Sequence, residues 1–282
     1  VYAVVDKELR LRFQQCEERR LRVLRGDAAL GILPIAEIDE MVATYRELGE
    51  AGMLEAWMSL AHYHDDPNGL HESLDEAAEA ACRALSLGSV EARAYLRHFL
   101  PRFAQDIAPP AHAADAARAL HAKLESDRDG TVHYLAGLFA FHGFGVTRDV
   151  VECARLHAIG AEKGDPDAMF EMYVLLSTGT GVAKDEAAAL VWCRRAADEN
   201  QPRACYNMGA FYATGRGVER DEAEAIRWYE RASDFGSGAA TATLAYMIHR
   251  GDGCVADPAR AEELFALAEE LGFDTAALRA QL

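Results

Sequence analysis

Four Gly-x-Gly pairs, Gly143/Gly145, Gly179/Gly181, Gly215/Gly217 and Gly251/Gly253, follow one another at intervals of 36 residues. A fixed period of this length marks a chain built from stacked repeats. The same offset joins Asp149, Asp185, Asp221 and Asp257, and it joins Leu156, Trp192, Trp228 and Leu264. It also joins Gly160, Ala196, Ala232 and Ala268, then Gly164, Asn200, Gly236 and Gly272, then Ala168, Ala204, Ala240 and Ala276. Six registers keeping one period over about 130 residues are not a chance alignment.

Each unit decodes as a helical hairpin. From Pro202 to Thr214, Ala204, Met208, Gly209 and Tyr212 recur at helical spacing and give a first helix, A, one apolar stripe. Gly209 lets a neighbour pack closely, and Gly215-Arg216-Gly217 ends the helix because glycine accepts left-handed backbone geometry. Asp221 stands where an N-cap is wanted, and Ala225, Trp228, Tyr229 and Ala232 form the stripe of helix B. Asp165-Pro166 and Asp257-Pro258 are cap-plus-first-turn signals of the same kind. Upstream the pattern decays: Ala56, Leu60, Asp75, Ala84, Gly88, Ala92 and Leu96 preserve its logic without the loop signature. Phe103 to Pro110 reads as an insertion, with helix B resuming near His112 to Glu125, and Leu9–Arg25 with Ile35–Gly49 resembles a first pair.

The expected fold is therefore all-α, a right-handed superhelical solenoid of about seven helix-turn-helix repeats. Repeats of this kind bury their apolar faces only by stacking, so residues 1–282 read as one domain. Residues 1–130 hold degenerate repeats, 131–272 four clear ones, and 273–282 a short C-terminal cap.

The charge narrows the partners. Lysine plus arginine number 29 against 46 acids, a net −17, which argues against nucleic acid and anionic membranes as partners. The acids concentrate on turns and helix B faces, whereas helix A is sparser in charge. No apolar run approaches the ~20 residues that span a bilayer, and the first 15 residues lack a signal-peptide core. A cytoplasmic address is expected, with a periplasmic one as the alternative had a leader been removed ahead of Val1.

Catalytic readings are weak. The glycine pairs follow no strand and precede no Gly-Lys-Ser/Thr, so they are turns rather than phosphate loops. His62-Tyr63-His64-Asp65-Asp66 could hold a cation but reads better as a surface loop, since residues two apart diverge on a helix. Arg250-Gly251-Asp252-Gly253 lacks the acidic ladder of a calcium loop. The six cysteines form no CxxC pair, and Cys153 and Cys193 lie on helix B stripes as small core residues. No enzyme, metal or cofactor is expected.

The pattern A-x-x-x-L/M-G-x-x-Y, G-x-G-V-x-x-D, A-x-x-W-x-x-x-A resembles the Sel1-like repeat, a relative of the tetratricopeptide repeat. The match is close in Ala204–Gly236 and good in Val132–Gly164, Ala168–Asn200 and Ala240–Gly272. The resemblance implies a bacterial adaptor or scaffold that binds a protein or peptide, in signalling, secretion, envelope assembly or neutralisation of a secreted effector as an immunity protein. Some cysteine-rich relatives carry a disulfide in each repeat and are associated with penicillin binding, which is the enzymatic alternative. Here Cys205 falls at the second cysteine position while Ala197 occupies the first, so that cross-link is missing.

By analogy with tetratricopeptide geometry, the residue two before the Met208 position faces a concave groove. That places Tyr134, Phe170 and Tyr206 in an aromatic ladder, broken by Ala242 in the fourth repeat. Arg203, Tyr246, His249, Arg250, His142 and His98 are its neighbours. Each ring either packs between adjacent A helices or anchors a partner in the groove.

Overall fold

The computed structural model describes residues 7–24, 35–64, 73–104 and 107–282, and every regular element among them is helical. The chain divides into two compact units, Val1–Asp127 with Leu135–Asp149, and Arg128–Tyr134 with Val150–Leu282. The first contains α1 (Lys7–Leu24), α2 (Ile35–Glu50), α3 (Leu54–His64), α4 (Leu74–Ser86), α5 (Val90–Phe103), α6 (Ala113–His121) and most of α7 (Thr131–His142). The second contains the start of α7 and then α8 (Val150–Glu162), α9 (Pro166–Thr178), α10 (Glu186–Asp198), α11 (Pro202–Thr214), α12 (Glu222–Asp234), α13 (Gly238–Arg250), α14 (Pro258–Glu270) and α15 (Ala276–Arg279).

In the second unit the repeat period becomes geometry. Helices α9 to α14 are each 13 residues long, which is about 20 Å of helix at 1.5 Å per residue. Within a repeat, α9 packs on α10, α11 on α12 and α13 on α14, while α8 on α9, α10 on α11 and α12 on α13 join successive repeats. The contacts are close because the facing registers are small. Ala168, Ala204 and Ala240 on A helices and Ala196, Ala232 and Ala268 on B helices are all fully buried. Gly209 serves the same end, since a Cβ there would lie 2.7 Å from the ring of Tyr229.

The ends of the helices follow from their sequence. Gly179, Gly215 and Gly251 close α9, α11 and α13 in the left-handed conformation. Asp185, Asp221 and Asp257 then cap α10, α12 and α14, each carboxylate accepting from the backbone N–H three residues on. The same aspartates donate their own N–H groups to the carbonyls of Leu176, Tyr212 and Ile248, which ties each B helix to the A helix before it. Asp221→Ala is expected to cost about 1 kcal/mol, with Asp221→Asn retaining most of the stability; urea unfolding of the two variants checks this.

In the first unit α2 packs on α3 and α3 on α4, while α6 lies against α4. Two carboxylates of α4 anchor the segment leading into α6. Asp75 accepts from the Ala108 N–H at 3.0 Å and Glu79 from the His112 N–H at 3.1 Å. Burial pushes the Glu79 carboxyl up, but Arg83 and His112 together outweigh it and hold the group below its ordinary value. Ser73 caps α4, its hydroxyl accepting from the Glu76 N–H. His62, Tyr63 and His64 form the last turn of α3 rather than a surface loop, and Tyr63 and His64 are buried; Asp65 and Asp66 lie outside the described residues.

Candidate protein-binding face

The A helices of the second unit carry an alternation of rings and guanidinium groups. Arg203 of α11 lies 4.3 Å above the Phe170 ring of α9 and donates to Glu171 Oε1 at 3.2 Å. Gln201, the cap of α11, donates to Asp167 of α9 at 3.1 Å. Tyr173 of α9 meets Phe211 of α11 edge-on at 6.1 Å, and Arg216 covers Phe211 from the following turn. Tyr246 of α13 accepts from Arg250 at 3.0 Å, and Arg250 also donates to Asp252 at 3.0 Å. At Glu171, burial pushes the carboxyl above its ordinary value against the pull of Arg203, and the neighbouring Asp167 adds to the rise.

These contacts explain which rings remain accessible. Tyr134 is 1% exposed and stacks on the buried His157 at 5.5 Å, and Phe170 is 6% exposed beneath Arg203. The expected open ladder is therefore corrected at two of its three rungs, which are packed inside. Tyr206 alone is half-buried, tilted against Tyr229. The physical reason is the covering residue. Arg203 reaches back over Phe170, whereas the same register one repeat later is Ala239, too short to cover Tyr206.

Arg203 and Arg250 are exposed, and Tyr246 and His249 are half-buried on α13. His142 lies in the other unit, packed against Phe141 and Phe144, and burial followed by the charge of Arg148 pushes its imidazole below the ordinary value. His98 is exposed on α5. Tyr173, Tyr212, Arg194 and Arg216 also belong to the face or its support, with Arg194 donating to the Tyr212 hydroxyl at 2.5 Å. Tyr212 belongs to the helix A stripe read from the sequence, whereas Tyr173, Arg194 and Arg216 do not recur at the 36-residue offset, so the repeat gave no signal for them.

The described cysteines are thiols, and all but Cys254 are buried. Burial pushes the Cys193 thiol up to about 12, which leaves it without nucleophilic thiolate. Cys205 donates to the Ala197 carbonyl at 3.5 Å, so the missing partner cysteine would have stood beside it. Among the described residues no group of His, Cys, Asp and Glu could hold a metal ion, and no helix is long and apolar enough to cross a membrane.

Fold and face together define an α-helical repeat protein. Residues 132–165, 166–201, 202–237 and 239–273 match the Sel1 repeat, and together they make up half of the sequence. The chain belongs to the Sel1 repeat family, with its all-α superhelical repeat fold. It is similar to the crystal structure of a Sel1 repeat protein from Oxalobacter formigenes, with 21% identity and a TM-score of 0.57 over 99% of this chain and 94% of that one. It is also similar to c5321, described as a protective antigen of uropathogenic Escherichia coli strains with an SLR fold, with 24% identity and a TM-score of 0.53 over 82% of this chain. The chain spans about half the length of that protein, 49%. A third structure, the immunity protein Pa5087 from Pseudomonas aeruginosa, aligns over 97% of this chain and 83% of its own length, at 16% identity and a TM-score of 0.40. No curated protein matches the chain in sequence.

Proposed function

We propose that this chain is a non-catalytic adaptor that binds a protein or peptide partner on the A-helix face of α9, α11 and α13. The observation that carries the reading is the set of accessible rings and guanidinium groups, Tyr206, Tyr246, Arg203 and Arg250, each held by contacts within its own repeat or with the preceding one. Tyrosine and arginine are the residue types that dominate binding hot spots, and groups already held in place lose less entropy on association. Family membership supports it as well, since Sel1 repeat scaffolds typically mediate protein association.

The narrower form of the reading is an immunity protein that occludes a secreted effector. The net charge of −17 suits a basic effector, which would be steered to this surface at a rate that falls with salt. The buried, unbridged cysteines suit a reducing, cytoplasmic address.

The test is affinity capture from the native host, identification of the partner by mass spectrometry, and titration of that partner against variants. The combined variant Tyr206→Ala, Tyr246→Ala, Arg203→Ala is expected to weaken binding at least about 100-fold, at ~1–2 kcal/mol per anchor, with the far-ultraviolet circular dichroism unchanged. A triple variant that binds like the wild type would overturn the reading. Rescue of growth when the partner is toxic and co-expressed decides the immunity form.

A further inference from the structure

The first unit holds a cavity of about 320 Å³ between α2, α3 and the start of α4, lined by Ile38, Asp39, Val42, Arg46, Tyr63, His64, Ser73 and Glu76. This volume is at the lower end of small-ligand pockets. Ile38, Tyr63 and His64 are buried, while Asp39, Arg46 and Glu76 are exposed at its rim. Tyr63 is 5% exposed, and its hydroxyl has no hydrogen-bond partner among the described residues. A buried hydroxyl without a partner is rare in folded proteins, and one that lines a cavity can be satisfied by a bound group.

The polar inventory decides what kind of group that is. Arg46 Nη2 lies 3.0 Å from Glu76 Oε2, and His64 Nε2 lies 2.7 Å from the same oxygen. Both basic side chains at the cavity are therefore directed at one carboxylate oxygen. What remains open is two carboxylate acceptors, Glu76 Oε1 and Asp39, which has no ion pair among the described residues, and the Tyr63 hydroxyl, which can donate to a carboxylate while its oxygen accepts from a ligand. The negative potential of Asp39 is felt at Tyr63, whose phenol is pushed up by burial first and by Asp39 second. Asp39 and Glu76 thus give the described lining two carboxylates against one guanidinium, Arg46. Ile38 and Val42 supply an apolar wall against which a short aliphatic stem can lie.

We propose that this cavity is a binding site for a small organic cation, an alkylammonium or alkylguanidinium head on a short aliphatic stem, held by Asp39, Glu76 and the Tyr63 hydroxyl. The head donates to the carboxylates in charge-assisted hydrogen bonds, the strong class of such bonds, and satisfies the phenol oxygen. An inorganic anion is disfavoured because both basic groups of the lining are already engaged, and among the described residues no group of three His, Cys, Asp or Glu side chains is placed to hold a metal ion. The same head can arrive on a free small amine or on a lysine or arginine side chain of a bound protein. The site lies within the first unit, and its lining includes no residue of the A-helix face.

The experiment is isothermal titration of the full chain with butylammonium chloride, propylguanidinium chloride and the blocked peptide acetyl-Gly-Arg-Gly-amide, with sodium butyrate as the control. Saturable one-to-one binding of the cations but not of butyrate is expected. Asp39→Asn is expected to weaken it about tenfold or more, the size of one charge-assisted bond. Tyr63→Phe is expected to weaken binding less while raising the Tm of the unliganded protein, because the orphaned hydroxyl is gone; a structural role alone would not move the two readouts in opposite directions. Binding of the small cations alone identifies a free amine as the ligand, and binding of the peptide alone identifies a partner's side chain. No saturable heat with any of the three, or equal binding by Asp39→Asn, overturns the proposal.

Discussion

Gly181→Ala is expected to destabilise the second unit by about 3–4 kcal/mol, and Gly217→Ala, one repeat later in the same register, by only about 1–2 kcal/mol. Both residues have positive φ, +71° and +72°, so both substitutions meet the same backbone strain. They differ in what surrounds them. A Cβ at Gly181 would stand 2.1 Å from the carbonyl oxygen of Val150, at the start of α8, and no rotamer change can move a backbone atom. A Cβ at Gly217 would meet only the Leu190 Cδ2 at 3.1 Å, the far end of a flexible side chain. The first glycine of each pair is different again: at Gly179 and Gly215 the nearest atoms are side-chain Cβ atoms at 3.4 and 3.3 Å. The pair therefore has two jobs. Its first glycine ends helix A, and its second lets the loop settle on the N-terminus of the preceding B helix. Urea unfolding curves of the two variants check the ranking; equal losses at positions 181 and 217 would show that conformation, and not contact with the previous repeat, fixes the second glycine.

That division of labour was only half legible in the sequence. The 36-residue period, the left-handed closures and the capping aspartates follow from residue chemistry within about four residues, and the structure has each where the pattern puts it. What the second glycine touches lies about 31 residues back along the chain, in the preceding repeat, and no local rule reads that. The same limit governs the aromatic face. Periodicity found Tyr134, Phe170 and Tyr206 but could not rank their exposure, because exposure depends on residues of other helices: His157 stacks on Tyr134, Arg203 covers Phe170, and Ala239, in the register of Arg203, is too short to cover Tyr206.

Asn200 shows the converse, a departure from the repeat that the structure explains. Its register otherwise holds Gly164, Gly236 and Gly272, and it too has a positive φ, 61°. Asparagine tolerates that conformation better than most residues, and here its Oδ1 accepts from Arg231 at 2.7 and 3.2 Å. Arg231 also donates to the carbonyls of Ala197 and Asp198, which lie at the free C-terminal end of α10. The side chain thus replaces glycine's freedom with a bond to the next repeat. Lysine could not make this set of contacts together with the stacking of Arg231 on Trp228 at 4.7 Å. The usage of 25 arginines against four lysines follows the same logic, since eight further arginines among the described residues stack on aromatic rings.

Acid is expected to remove about 3 kcal/mol of stability through His157 alone, because each pH unit separating its folded and unfolded pKa is worth ~1.4 kcal/mol. The imidazole is fully buried in α8, where Nε2 donates to the Tyr134 carbonyl at 3.2 Å and Nδ1 faces the Cys153 thiol at 3.6 Å. Burial penalises the charged ring and the carbonyl only partly offsets that, so its pKa falls from 6.5 to about 4. In the unfolded chain the same histidine titrates near its ordinary value. As pH falls from about 6.5 to about 4, the unfolded chain therefore takes up a proton that the folded one refuses. The stabilisation is complete above the higher value and is lost on the way down to the lower one. Other groups titrate in this range, including Glu171, whose raised pKa acts in the opposite sense, so the measurement must be a difference. His157→Gln retains an amide donor for the Tyr134 carbonyl and loses the titration. The gap in unfolding free energy between wild type and variant should narrow by about 3 kcal/mol between pH 7.5 and 4. Parallel pH profiles would mean that the ring is solvated or charged in the native state, contrary to its packing between Cys153 and Tyr134.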